Sequence, residues 1–102
     1  MSSPADPDGH DPSGLPALLF LTEARSGASR RMASLVAWVK VTQKRRLRVI
    51  DIDVDSNPAL VCELGVIEIP ALVLVNDRTV VARLEGRVTG REIDDFIRPH
   101  LS

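Results

Sequence analysis

Ser26 and Ser29, three residues apart in Ser26-Gly27-Ala28-Ser29, put two hydroxyls into one short turn of this 102-residue chain. A serine becomes a nucleophile only when a neighbouring base takes its proton. The two histidines, His10 and His100, lie near opposite ends of the chain, and no predicted element brings either to this turn. The same oxygens suit another task, since a serine at a helix N-cap accepts a hydrogen bond from an otherwise unpaired backbone N–H. Ser26 is expected to be such a cap, with Ser29 in the first helical turn. Cys62 is the single cysteine, so no internal disulfide is available, and with two distant histidines it makes a poor metal site. In a helix it reads as a small apolar residue. No metal or cofactor is expected.

Charge is distributed unevenly. Arg25, Arg30, Arg31, Lys40, Lys44, Arg45, Arg46 and Arg48 follow one another with no acid between them, whereas residues 49–69 carry Asp51, Asp53, Asp55, Glu63 and Glu68 and no base. Such polarity governs partners more than fold. The basic segment 44–48 could neutralise phosphates, but it has no interleaved aromatics and the net charge is −1, which disfavours nucleic acid. A solvated helix end is expected there, with its positive charge suited to the helix dipole. Weak docking of segment 44–48 on the acidic stretch of a second copy is the alternative. Met1–Gly14 lacks the basic start and apolar stretch of a secretory signal. No apolar run approaches the roughly 18–20 residues that cross a bilayer. A cytoplasmic protein without a membrane partner is therefore expected.

The elements that would position these residues follow from hydrophobic periodicity. Residues 1–14 offer almost nothing apolar to bury and read as a disordered tail. A single domain over 15–102 then opens with Leu18-Leu19-Phe20-Leu21, a continuous apolar run that suits a strand buried on both faces. A helix is predicted over 28–44, with Met32, Leu35, Val36 and Val39 as its buried stripe and Trp38 at the stripe's edge. Residues 47–53 alternate apolar and charged as a second strand. Asn57-Pro58 starts a short helix that Gly65 ends. Residues 71–75 and 79–85 form a hairpin about Asn76-Asp77. Thr89-x-x-Glu92 has the form of a capping box before a terminal helix whose buried stripe is Ile93, Phe96, Ile97 and Leu101. The order is β-α-β-α-β-β-α. A strand–helix–strand unit makes the first two strands parallel, and the expected α/β architecture is a four-stranded mixed sheet with helices on both faces.

Over residues 15–102 this order, with the local sequence at three places, resembles the thioredoxin family and implies the thioredoxin fold. Gly65-Val66-Ile67-Glu68-Ile69-Pro70-Ala71 is similar to the segment in which thioredoxins carry a cis-proline before the third strand. Val54-Asp55-Ser56-Asn57-Pro58 is similar to the link between second strand and second helix. Gly86 falls where the family usually has a glycine. Leu18–Met32 with Val49-Ile50-Asp51 and Asn57-Pro58 is also similar, more weakly, to KaiB-like domains, but the hairpin over 72–86 fits thioredoxin better. Under the first resemblance, Ser26-Gly27-Ala28-Ser29 occupies the place of the redox Cys-x-x-Cys motif, Phe20 that of a buried aspartate, Arg25 that of a tryptophan, and Asp51 that of a lysine. Thiol–disulfide exchange needs a thiolate and a second, resolving thiol, so the resemblance implies no catalytic residue in this chain. It implies instead a groove for an extended peptide or protein segment, formed by Arg25, Ser26, Gly27, Ala28, Ile69, Pro70 and Gly86. The alternative is a thioredoxin-type disulfide oxidoreductase whose cysteines have been replaced by serine at 26 and 29; Phe20, Arg25 and Asp51 speak against it.

Overall fold

The structure is a computed structural model that describes residues 14–101, so the expected tail lies outside the described residues except for Gly14. The first strand, β1 (Ala17–Thr22), is buried along nearly its whole length. Its apolar run has two faces to fill: Leu18 and Phe20 point into one core, and Ala17, Leu19 and Leu21 into another. Helix α1 (Gly27–Thr42) buries Met32, Val36 and Val39 at helical spacing. It ends two residues short of the predicted Lys44, where the Gln43 N–H closes the last turn on the Val39 carbonyl. Trp38 does not reach the core. It is 70% exposed, because one step around the helix from Val39 already turns the side chain towards solvent.

Strand β2 (Arg48–Asp53) runs parallel to β1, in register from Ala17 opposite Arg48 to Thr22 opposite Asp53. Helix α2 (Pro58–Leu64) begins at a proline and ends at Gly65, whose φ of 70° is the left-handed conformation open to glycine. Asn57 precedes it without a side-chain cap; its amide donates instead to the Asp53 carbonyl. Cys62 is exposed on α2 and is not a packing residue.

Strands β3 (Ala71–Asn76) and β4 (Thr79–Glu85) form the hairpin, but the turn is Asp77-Arg78, one residue later than predicted. Asn76 still pairs with Thr79, and Asp77 and Arg78 take φ of 52° and 67°, the paired positive values of a tight two-residue hairpin turn. The ladder slips between Leu74 and Val75: they face Ala82 and Val80, which leaves Val81 as a bulge. Helix α3 (Gly90–Ile97) starts with the predicted capping box, Thr89 and Glu92 each accepting from the other's backbone N–H.

Strand order is β2-β1-β3-β4, with β1 antiparallel to β3 and β3 antiparallel to β4. Helices α1 and α3 cover one face through Met32, Val36, Ile93 and Ile97. Helix α2 and the segment after it cover the other through Leu60, Val61, Leu64 and Ile69. The mixed, doubly covered four-stranded sheet is the architecture that the sequence predicts. No helix among the described residues is long and apolar enough to cross a membrane.

Candidate functional site

The register of the sheet collects the candidate residues at one end. Leu21 pairs with Ala71, and Ala71 pairs with Glu85. The turn leaving β1, the segment entering β3 and the residue following β4 are therefore neighbours. Arg25, Ser26, Gly27 and Ala28 belong to the first, Ile69 and Pro70 to the second, and Gly86 is the third. All seven groove residues expected from sequence lie at this one edge.

Both serine oxygens hold the turn together. Ser26 is the N-cap of α1, with extended backbone, and its hydroxyl accepts from the Ser29 N–H at 3.1 Å. Ser29 is only 3% exposed, and its hydroxyl reaches back to accept from the Glu23 N–H at 3.2 Å. The Ser26 N–H in turn donates to the Glu23 carbonyl at 3.0 Å. Phe20 is buried among Met32 and Val36 and supplies no proton acceptor. Beside Ser29, a cleft of about 330 Å³ opens between β1 and α1, with Phe20 and Val36 as apolar lining and Arg30, Lys40 and Asp51 as its charged residues. Lys40 and Asp51 stand 3.7 Å apart and are mostly exposed, so their pairing adds little to stability.

Across the edge, Ile69–Pro70 is a cis peptide bond and Pro70 is buried. The Pro70 carbonyl accepts from the Gly86 N–H at 2.8 Å. Gly86 has φ of 85°, and the Glu68 carboxylate lies over it, one oxygen only 2.7 Å from where a Cβ would stand. The positive φ calls for glycine, whereas the exposed Glu68 side chain could swing aside for a Cβ. The Ile69 N–H and carbonyl make no hydrogen bond among the described residues, so this stretch of backbone can still pair.

Sequence reasoning missed the two side chains that fix this segment. Glu85 accepts from the Ile67 N–H at 2.7 Å and the Glu68 N–H at 2.8 Å. Arg83 donates to the carbonyls of Leu64 and Gly65 at 2.9 and 3.1 Å. They act over a separation of 17 to 19 residues, and no local pattern announces them. The Glu68 N–H, followed by that of Ile67, holds the Glu85 carboxyl below its ordinary range. A carboxyl depressed in the fold contributes stability above its unfolded pKa of about 4.3, and that contribution is lost as pH falls through the lower folded value. Thermal unfolding of Glu85→Gln is therefore expected to fall less steeply than that of the unaltered chain between about pH 5 and pH 2. Identical slopes would show that Glu85 is not held by this segment. The effect is modest, because the group remains accessible to solvent.

Known proteins share the family pattern and the fold. The family model for thioredoxin matches residues 13–99. A thioredoxin of Listeria monocytogenes is 28% identical over 75 residues, covering 74% of this chain and 73% of its own. Thioredoxin C-3 of Corynebacterium nephridii is 34% identical over 89 residues, covering 87% of this chain and 61% of its own. Among solved structures, a singly substituted thioredoxin of Halobacterium salinarum superposes with a TM-score of 0.81 at 24% identity, over 88% of this chain and 78% of that one. That likeness shows the fold.

Proposed function

Since the chain belongs to the thioredoxin family and yet bears serine where the resemblance places both redox cysteines, we propose that it is a redox-inactive member that binds an extended segment of another protein beside Pro70. Two arguments support this reading. Disulfide exchange forms and breaks S–S bonds, and a hydroxyl cannot enter that cycle; the one sulfur nucleophile, Cys62, stands exposed on α2 with no second cysteine in the chain. Recognition by strand addition needs no sulfur, only an accessible stretch of backbone and room beside it. The observation that carries the reading is the unpaired backbone of Ile69, set between the Ser26–Ala28 turn and Gly86. Arg25 and Glu68, both exposed, give the rim one charge of each sign.

An immobilised library of random decapeptides tests this reading. The chain is expected to retain a subset of sequences, and Ala28→Arg, which puts a long side chain into the groove from the first turn of α1, is expected to weaken that retention about tenfold or more. Equal retention by both proteins, or none by the unaltered chain, would remove the groove from consideration.

A further inference from the structure

At the opposite end of α1 the surface has a different character. Trp38 and Val41, three residues apart on one helix face, are 70% and 69% exposed. Trp38 also lines a groove of about 400 Å³ between α1 and α3, together with Leu35, Val39, Ile93 and Ile97; its one acid, Asp94, is paired with Arg98. Immediately beyond it, Lys44, Arg45 and Arg46 are all exposed, and no acid occurs between residues 24 and 50. Apolar and positive surface are thus contiguous.

We propose that the chain's own N-terminal segment, residues 1–13, docks on this Trp38 face and its basic end. Its charge fits: the segment carries Asp6, Asp8 and Asp11 and no lysine or arginine. Its three prolines, Pro4, Pro7 and Pro12, have less backbone freedom to lose on docking than other residues. Its point of attachment fits best. The Arg48 N–H donates to the Pro16 carbonyl at 3.0 Å, so the chain enters β1 alongside the loop that holds Lys44 to Arg46. Thirteen residues span up to about 43–47 Å when extended, more than the 38 Å longest dimension of the domain. A tether of that length keeps the effective concentration in the range of about a millimolar, enough for a weak electrostatic contact to be populated.

A nitroxide attached through Ser3→Cys, in a chain whose own thiol is removed by Cys62→Ser, reads this contact by NMR. At about 0.05 M salt the label is expected to broaden the Trp38 indole and the Lys44–Arg46 amides at least twofold more than those of α2. That selectivity should vanish at about 1 M salt, where the screening length is ~3 Å. It should also vanish when Asp6→Asn, Asp8→Asn and Asp11→Asn are combined. These changes lie before β1, and unchanged amide dispersion over residues 17–97 confirms that the fold persists. Broadening that is uniform, or that survives the three asparagines, overturns the proposal. So does broadening that appears mainly in a mixture of labelled and isotope-enriched chains, which would assign the face to a second copy instead.

Discussion

The purified chain is expected to leave insulin disulfides intact. With dithiothreitol as electron donor, the rate should equal that of the donor alone at every protein concentration. Electrons reach a disulfide when a thiolate attacks one sulfur and a second thiol resolves the mixed disulfide. Here the oxygens of Ser26 and Ser29 accept backbone N–H groups instead. Turnover by the unaltered chain would sink the proposed function outright. The companion variant, Ser26→Cys with Ser29→Cys, is expected to raise the rate at least about tenfold. The N-cap of a helix lowers a thiol's pKa from its ordinary value of about 8.5, and Ser26 already occupies that position, 3.1 Å from the Ser29 N–H. The gain should stay below that of a complete redox site, because Phe20 puts an apolar ring where the resemblance calls for a carboxylate. A silent double variant would mean that the scaffold, and not only the sulfur, has left redox chemistry.

The difference between what could be read in the chain and what could not follows from the range of each interaction. The buried run Leu18–Leu21, the Thr89–Glu92 capping box and the glycine that ends α2 are local patterns, each decided by a few consecutive residues. They suffice to order the elements and so to bring the Ser26 turn, Pro70 and Gly86 to one edge. The hairpin turn was displaced by one residue because Asn76 and Asp77 both tolerate positive φ; strand pairing of Asn76 with Thr79 decided between them. Periodicity puts Trp38 at the edge of a buried stripe, but no neighbouring element covers it, and periodicity says nothing about how far a partner extends. Glu85 and Arg83 remained invisible for a related reason: an ordinary alternation of charge on a strand does not reveal that two of its side chains serve a segment on the far side of the hairpin. The serines were the most legible feature, since their chemistry depends on element identity and not on geometry.

Leu74→Ala is expected to be the most destabilising single truncation considered for this fold. Leu74 is fully buried on β3, paired with Leu18 on one side and Ala82 on the other, in the core that α1 and α3 close. Removing its branched end takes away the transfer free energy and leaves a cavity between strands and helices that cannot collapse easily, about 2–5 kcal/mol in comparable sites. Against a total of roughly 5–15 kcal/mol, that is a large share. At about 4–8 °C per kcal/mol for a domain of this size, Tm should drop on the order of 10–30 °C. Val80→Ala supplies the contrast. Val80 lies on the outer strand β4 and is 44% exposed, so its loss should fall within about 0.5 kcal/mol. Under the proposed function, Leu74→Ala should, below the lowered Tm, bind the same decapeptides as the unaltered chain, because the proposed groove lies at the ends of the strands and not in this layer. Equal losses from Leu74 and Val80 would contradict the two-sided core that holds the strand ends in register. A Leu74→Ala protein that is folded but selects different peptides would show that the groove depends on the helices beneath it more than on the strand ends.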